Sequence, residues 1–287
     1  MTRGDTLLAQ QPAEAAKAYQ EALRLSPVTW PQRELAEASL VQALQDSRQW
    51  QPCAETSASD AAAMKRDVIF VRTVVAGMWC LASTDPAPWA EAALAKLRPM
   101  SEEALTLPTT VRDHRDAIYR TLMFISVNRK DNASAAKWGD RWLAELDAMK
   151  PQSDDERSAL DIARVENIQV YGDPERILPA LMESERTMPN NYLASLRLGE
   201  MEEAANHIGE AIAACDRGLA RGPGANGRAW LLQIKARCLQ AENKNAEARQ
   251  ALEQALQAAQ EIPSQKGRDM NVSRIQNMLK TAETPTK

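Results

Sequence analysis

The 287 residues carry 35 basic and 39 acidic side chains, a net charge of -4, and no long Lys/Arg run. That balance argues against nucleic acid as a partner, because nucleic acid selects a basic face. Straight-chain helix formers dominate and Phe occurs only twice, while no apolar run reaches the ~20 residues of a spanning helix, so neither a sheet protein nor a membrane partner is expected.

Breakers divide the chain into apolar-periodic segments of helical length. Met1 to Gln10 leaves room for only a short leading helix before Pro12, which suits the first turn of the next. That second helix closes at Ser26-Pro27. Cys53 falls near the start of a helix ending about Met64, and Cys80 near the end of one starting about Arg66. The run Val68-Ile69-Phe70-Val71 continues as Val74, Val75 and Met78 at helical spacing, so it reads as a buried helix. Pro86-Ala87-Pro88, Leu107-Pro108, Lys130-Asp131-Asn132 and Lys150-Pro151 mark further turns. Asp154-Asp155-Glu156 puts acid at a helix start, where the dipole favours it. Gly172-Asp173-Pro174, Met188-Pro189, Gly222-Pro223-Gly224 and Ile262-Pro263 complete the partition, and a closing helix is expected near Gly267–Ala282.

Side-chain size recurs along these segments. Ala15, Tyr19, Ala22 and Pro27 stand at intervals of four, three and five, and Ala211, Cys215, Gly218 and Pro223 repeat them. Ile177, Leu181, Ser184 and Pro189 fill the same places, as do Ala248, Leu252 and Ala255, while Leu198-Gly199 precedes Ala211. A small residue lets two helices approach, a larger one four places on fills the groove between them, and a proline turns the chain. This pattern resembles the tetratricopeptide repeat family, most closely at about residues 4–27 and 192–260, with degenerate copies near Ala54, Ala93, Ala136 and Ile177. The resemblance implies an all-α, right-handed α-solenoid of about seven helix pairs with a C-terminal capping helix. It forms one domain over 1–283, followed by a disordered tail at 284–287.

Cys53, Cys80, Cys215 and Cys238 include no Cys-x-x-Cys and no close ligand pair, so neither a thioredoxin-type centre nor zinc is expected within the chain. The midpoint of Cys53 and Cys80 coincides with the turn between their helices, so the two stand at one height in an antiparallel hairpin, as a disulfide requires. Two buried, reduced thiols are the alternative. Cys215 and Cys238 sit asymmetrically about their turn and read as core.

A second resemblance rests on Gly222-Pro223-Gly224 through Trp230-Leu231-Leu232, then Ala246 to Leu256 and Arg274-Ile275. These stretches are similar to the helical-repeat C-terminal region of some bacterial exported thioredoxin-like proteins. That resemblance implies a supporting role for a thiol–disulfide oxidoreductase whose thioredoxin-like domain lies outside this chain, in a periplasmic or exported setting. The short start fits a C-terminal portion of a longer polypeptide. A frayed first helix in a complete cytoplasmic protein is the alternative.

No catalytic motif is found. Gly222-x-Gly224-x-x-Gly227 imitates a dinucleotide fingerprint, but a helix precedes it where a strand is needed, so it reads as a loop. His114 lies in a charged helix start and His207 at a turn, each alone, and Glu102-Glu103 and Glu202-Glu203 are adjacent, pointing to different sides of a helix. Trp138 and Trp142 share one face and read as packing, while Trp230, at the start of a leading helix, is the best exposed anchor. In the tetratricopeptide family the leading helices line a concave groove. The resemblance places Ile162, Glu166 and Gln169 there, with Leu196, Glu200 and Glu203, then Trp230, Gln233 and Arg237. Ala159 and Leu193 stand beside them, and Ile118, Thr121 and Ile125 belong to the preceding copy. This mixture suits a helix or an extended, mildly basic segment. The Lys, Asn and Arg set with which co-chaperone members clamp a C-terminal carboxylate is missing. A protein- or peptide-binding module without catalysis or cofactor is therefore expected.

Overall fold

The structure, a computed structural model, describes residues 2–282. Fifteen α-helices and one short 3-10 turn make up its regular structure, and no strand occurs among the described residues. The tail expected at 284–287 lies outside them. Contacts divide the chain into two compact units, residues 1–144 and 145–287.

In the first unit α1 (Thr2–Leu8) packs on α2 (Pro12–Leu25), α3 (Arg33–Asp46) on α4 (Trp50–Asp60), and α5 (Val68–Ala82) on α6 (Pro88–Ala104). Next come α7 (Arg112–Asn128) and α8 (Asn132–Ala148), joined where Tyr119 stacks on Trp142 with ring centroids 6.3 Å apart. The second unit continues with α9 (Asp154–Tyr171), the 3-10 turn Pro174–Arg176 and α10 (Leu178–Thr187). It then pairs α11 (Tyr192–Ala204) with α12 (Ile208–Ala220) and α13 (Ala225–Ala241) with α14 (Asn245–Gln260), and α15 (Gln265–Ala282) closes it. Seven pairs and a closing helix are thus present, the first pair with a leading helix of only seven residues.

Local chemistry explains the boundaries. Pro12 and Pro88 open α2 and α6, where a missing N–H costs nothing. Ser153 caps α9 by accepting the Glu156 N–H, and the Glu156 carboxylate accepts from Gln152 N in return. Four of the turns inside pairs are built alike. Arg48, Lys130, Asn206 and Asn243 all adopt positive φ between 58° and 64°. The following residue then donates its N–H to a carbonyl five residues back: Gln49 to Leu44, Asp131 to Ser126, His207 to Glu202 and Lys244 to Leu239, at 2.8–2.9 Å. The repeat is therefore carried by the backbone even where side chains have diverged.

The recurring small and large positions form the core. Ala15, Tyr19, Ala211, Cys215, Ala248, Leu252 and Ala255 are all fully buried. A Cβ on Gly199 would stand 3.1 Å from Cys215 Sγ and 3.4 Å from the Ala211 carbonyl, so glycine sets how closely α11 approaches α12. Gly77 does the same for α5 and α4, since a Cβ there would overlap Ser57 Oγ, which donates to the Thr73 carbonyl at 2.7 Å. Along the same hairpin Cys53 and Cys80 are disulfide-bonded, their Cα atoms 6.2 Å apart. Cys215 and Cys238 are free and buried in one apolar cluster with Leu231 and Ile234, where burial pushes both thiols up, to about 12 and about 11.

Candidate protein-binding faces

Within each unit the leading helices pack side by side: α3 with α5 and α5 with α7, then α9 with α11 and α11 with α13. Each is flanked by its neighbours and backed by trailing helices, so one stripe per helix is left to solvent, with intervals of three and four residues. In the second unit the stripe on α9 holds Ala159, Ile162, Glu166 and Gln169, and that on α11 holds Leu193, Leu196, Glu200 and Glu203. On α13 it holds Asn226, Trp230 and Arg237.

Ile162 is the most open apolar residue of these stripes, at 44 % exposure. Gln169 and Arg237 are exposed, whereas Glu166, Leu196, Glu200, Glu203 and Trp230 are half-buried. Two hydrogen-bonded links cross between helices. Gln169 Nε2 donates to Glu200 at 2.9 Å, and Arg237 clamps the Glu203 carboxylate through Nε and Nη2, both at 2.6 Å. Burial holds the Glu200 carboxyl above its ordinary range, although Arg237 pulls it down, and the adjacent Glu203 adds to the rise. Arg274 of α15 lies 5.5 Å from the Trp230 ring centroid and covers part of it. Beneath the face, buried Arg197 donates to Ser158 at 2.9 Å, and buried Asp161 pairs with Arg164 at 3.1 Å.

Gln233 departs from expectation. It is only 1 % exposed and turns its amide back to the Ala229 carbonyl at 3.0 Å, because α13 is covered on that side. Ile118, Thr121 and Ile125 are likewise buried. The open stripe of α7 lies one residue earlier, on Ala117, Arg120 and Phe124. His207 caps no turn through its side chain. It lies between two carboxylates, with Nδ1 2.7 Å from Glu202 and Nε2 3.0 Å from Glu175. Trp138 and Trp142 are buried, as their shared face implies.

Two aromatic residues of the first unit reach solvent, although packing between repeats is the expectation for Trp79. Trp79 is 40 % exposed and Phe124 44 % exposed, each on the open stripe of its leading helix. Val68, Arg72, Val75 and Trp79 are spaced four, three and four, as one side of a helix is. Because α5 is apolar on nearly every side, periodicity alone does not say which side lacks a neighbour.

A solved structure shares this fold. A tetratricopeptide repeat protein from Parabacteroides merdae matches over 99 % of this chain and 97 % of its own, with a TM-score of 0.55 and 10 % identity. The fold is a tetratricopeptide-repeat solenoid. The TPR2AB-domain:pHSP90 complex of yeast Sti1 covers 98 % of this chain and 96 % of its own, with a TM-score of 0.40 and 16 % identity. No protein-family profile matches the sequence, and no curated protein matches it. Among the described residues, no helix of this tetratricopeptide array is long and apolar enough to cross a membrane.

Proposed function

We propose that the chain is a non-catalytic interaction module, and that the open face of α9, α11 and α13 takes a mildly basic segment of another protein. The observation that carries this reading is the exposed Ile162 beside the acidic stripe of Glu166, Glu200 and Glu203. Residues 1–144 balance their charges, so the whole net charge of -4 falls on residues 145–287. A cationic partner is therefore drawn to the second unit, and the apolar positions give it something to bury.

The test is selection of random peptides on the intact, oxidised chain, followed by titration of the enriched sequences. Peptides pairing Lys or Arg with an apolar residue are expected, binding less tightly as salt rises. Ile162→Asp and Glu166→Lys should each weaken them by roughly tenfold. If both variants retain every enriched basic peptide at full affinity, this face is not the site.

The disulfide supports a compartment in which such bonds persist. Protein drawn from its native cells under acid quench should then show two free thiols per chain, those of Cys215 and Cys238. Four would place the chain in a reducing compartment. A supporting role beside a thioredoxin-like domain fits the first result, and that domain should then bind the isolated chain directly.

A further inference from the structure

We infer that the second unit has a further binding site on its other side, a trough between the trailing helices α10 and α12 that takes an amphipathic helix of another protein. The site is independent of the α9–α13 face. Leu198 and Glu202 form its floor, each two residues from Glu200 and hence about 200° around α11 from the stripe on that face.

Both α10 and α12 pack antiparallel on α11, so they run parallel to each other, and about 840 Å³ lies between them. Glu210, Ala213, Arg217 and Arg221 follow one another along the α12 wall at intervals of three and four residues. That wall is about 16 Å long, or three helical turns. In its middle the trough is apolar: Met182, 56 % exposed, and the exposed Ala213 stand on either side of the buried Leu198. The walls and floor are helices whose backbone groups are already paired. An extended segment would bring unpaired N–H and C=O groups into this apolar middle, whereas a helix brings its own hydrogen bonds.

Charge sets the direction of that helix. Where the two walls begin, Glu202 and Glu175 share the His207 imidazole at 2.7 and 3.0 Å, and the charge of the exposed Glu210 reaches the same ring. Where they end, Arg217 clamps Glu185 through Nε and Nη2 at 3.0 and 2.7 Å. Arg221 lies 3.7 Å from the same carboxylate, so one acid serves two guanidinium groups, while Arg186 is balanced by Glu183 at 2.7 Å. Of the residues lining the trough, acid therefore exceeds base at one end and base exceeds acid at the other. A helix carries a positive half-charge at its N-terminus and a negative one at its C-terminus, so it lies with its N-terminus by Glu202 and Glu210. The half-charges of α10 and α12 oppose this alignment, but the full side-chain charges at their ends outweigh them.

The trough is held open before anything binds. Glu185 of α10 is buried, accepts from Ser195 of α11 at 2.5 Å and is clamped by Arg217 of α12, so a single carboxylate fixes both walls to the floor. A surface fixed in advance loses less entropy on complex formation.

A library of short helical peptides, selected against the intact, oxidised chain, should enrich members with an apolar stripe, a basic first turn and an acidic last turn. Met182→Asp should weaken these by roughly tenfold, and Glu210→Lys should replace the basic first turn by an acidic one in a repeated selection. Ile162→Asp should leave them untouched, which separates their fate from that of the α9–α13 face. A nitroxide at the peptide's N-terminus should broaden the Glu210 amide resonance more than that of Arg221, and one at its C-terminus the reverse. Met182, Glu210 and Ile162 are solvent-exposed, and unchanged helical circular dichroism checks the fold. The inference is overturned if no helical class appears, if Met182→Asp leaves its affinity as it was, or if the nitroxide reports the opposite direction. A concentration-dependent dimer that Met182→Asp dissolves would overturn it too, because the trough would then belong to a second copy of the chain.

Discussion

Lys130 and Arg48 hold a left-handed backbone that costs a β-substituted residue about 1–2 kcal/mol. Asn206 and Asn243, in equivalent turns, tolerate it better because a short amide side chain crowds the backbone less. Lys130→Gly is expected to stabilise the protein by about 1 kcal/mol, seen as a higher urea midpoint at constant slope. A lower midpoint would mean that the lysine side chain contributes something the turn does not show. Asp60, the last residue of α4, is poorly placed in another way. Burial, and then Glu37, raise its carboxyl to about 6 despite the opposing pull of Arg33. A carboxyl raised in the folded state stabilises it below the ordinary 3.8 and loses that contribution as pH climbs through about 6. Asp60→Asn should therefore stabilise the protein at neutral pH, by about 1 kcal/mol once solvent screening at a half-buried site is allowed for. The gain should vanish in acid, where the aspartate is already neutral. Equal gains at both ends of the pH range would rule out this explanation.

His207 and the disulfide each tie one helical element to the next. A neutral imidazole can donate from only one nitrogen, yet both of its nitrogens lie within hydrogen-bond distance of a carboxylate. The Glu202 hydrogen bond, then the charge of Glu175 and Glu202, hold its pKa above 6.5. A raised folded value makes this contribution complete below 6.5 and removes it as pH rises through the higher one. The 3-10 turn Pro174–Arg176 should then loosen from the α11–α12 corner on the alkaline side. Its amides should exchange faster there, and His207→Gln should abolish the pH dependence. The Cys53–Cys80 bond spans a separation of 27 residues, for which the loop-closure model gives about 3.5 kcal/mol. Reduction should speed amide exchange in α4 and α5 while leaving α13 and α14 as they were. Uniform acceleration would instead indicate that the bond supports the whole chain.

Across the chain, the two open faces differ in character although the same helix-pair geometry builds both. The face of α5 and α7 is aromatic with an exposed arginine, while that of α9, α11 and α13 is acidic and largely cross-linked by its own hydrogen bonds. Helix pairs that touch mainly their neighbours also unfold with limited cooperativity. The calorimetric unfolding enthalpy should exceed the van't Hoff value. Equality of the two would show that the pairs melt as one.

The sequence by itself determined the helices, their pairing and the positions that fill the joints. Prolines and glycines interrupt the backbone locally, and a small residue followed by a larger one four places on needs only the adjacent helix to be understood. The height match of Cys53 and Cys80 was legible for the same reason, since a hairpin has a fixed rise per residue. The tertiary structure decided which stripe of each leading helix stays open. A leading helix meets partners on several sides, so its apolar residues spread around it, and the bare side depends on neighbours that lie up to tens of residues away. That is why Gln233 turned inward, why the open stripe of α7 fell one residue before Ile118, Thr121 and Ile125, and why Trp79 emerged from a helix that reads as wholly buried.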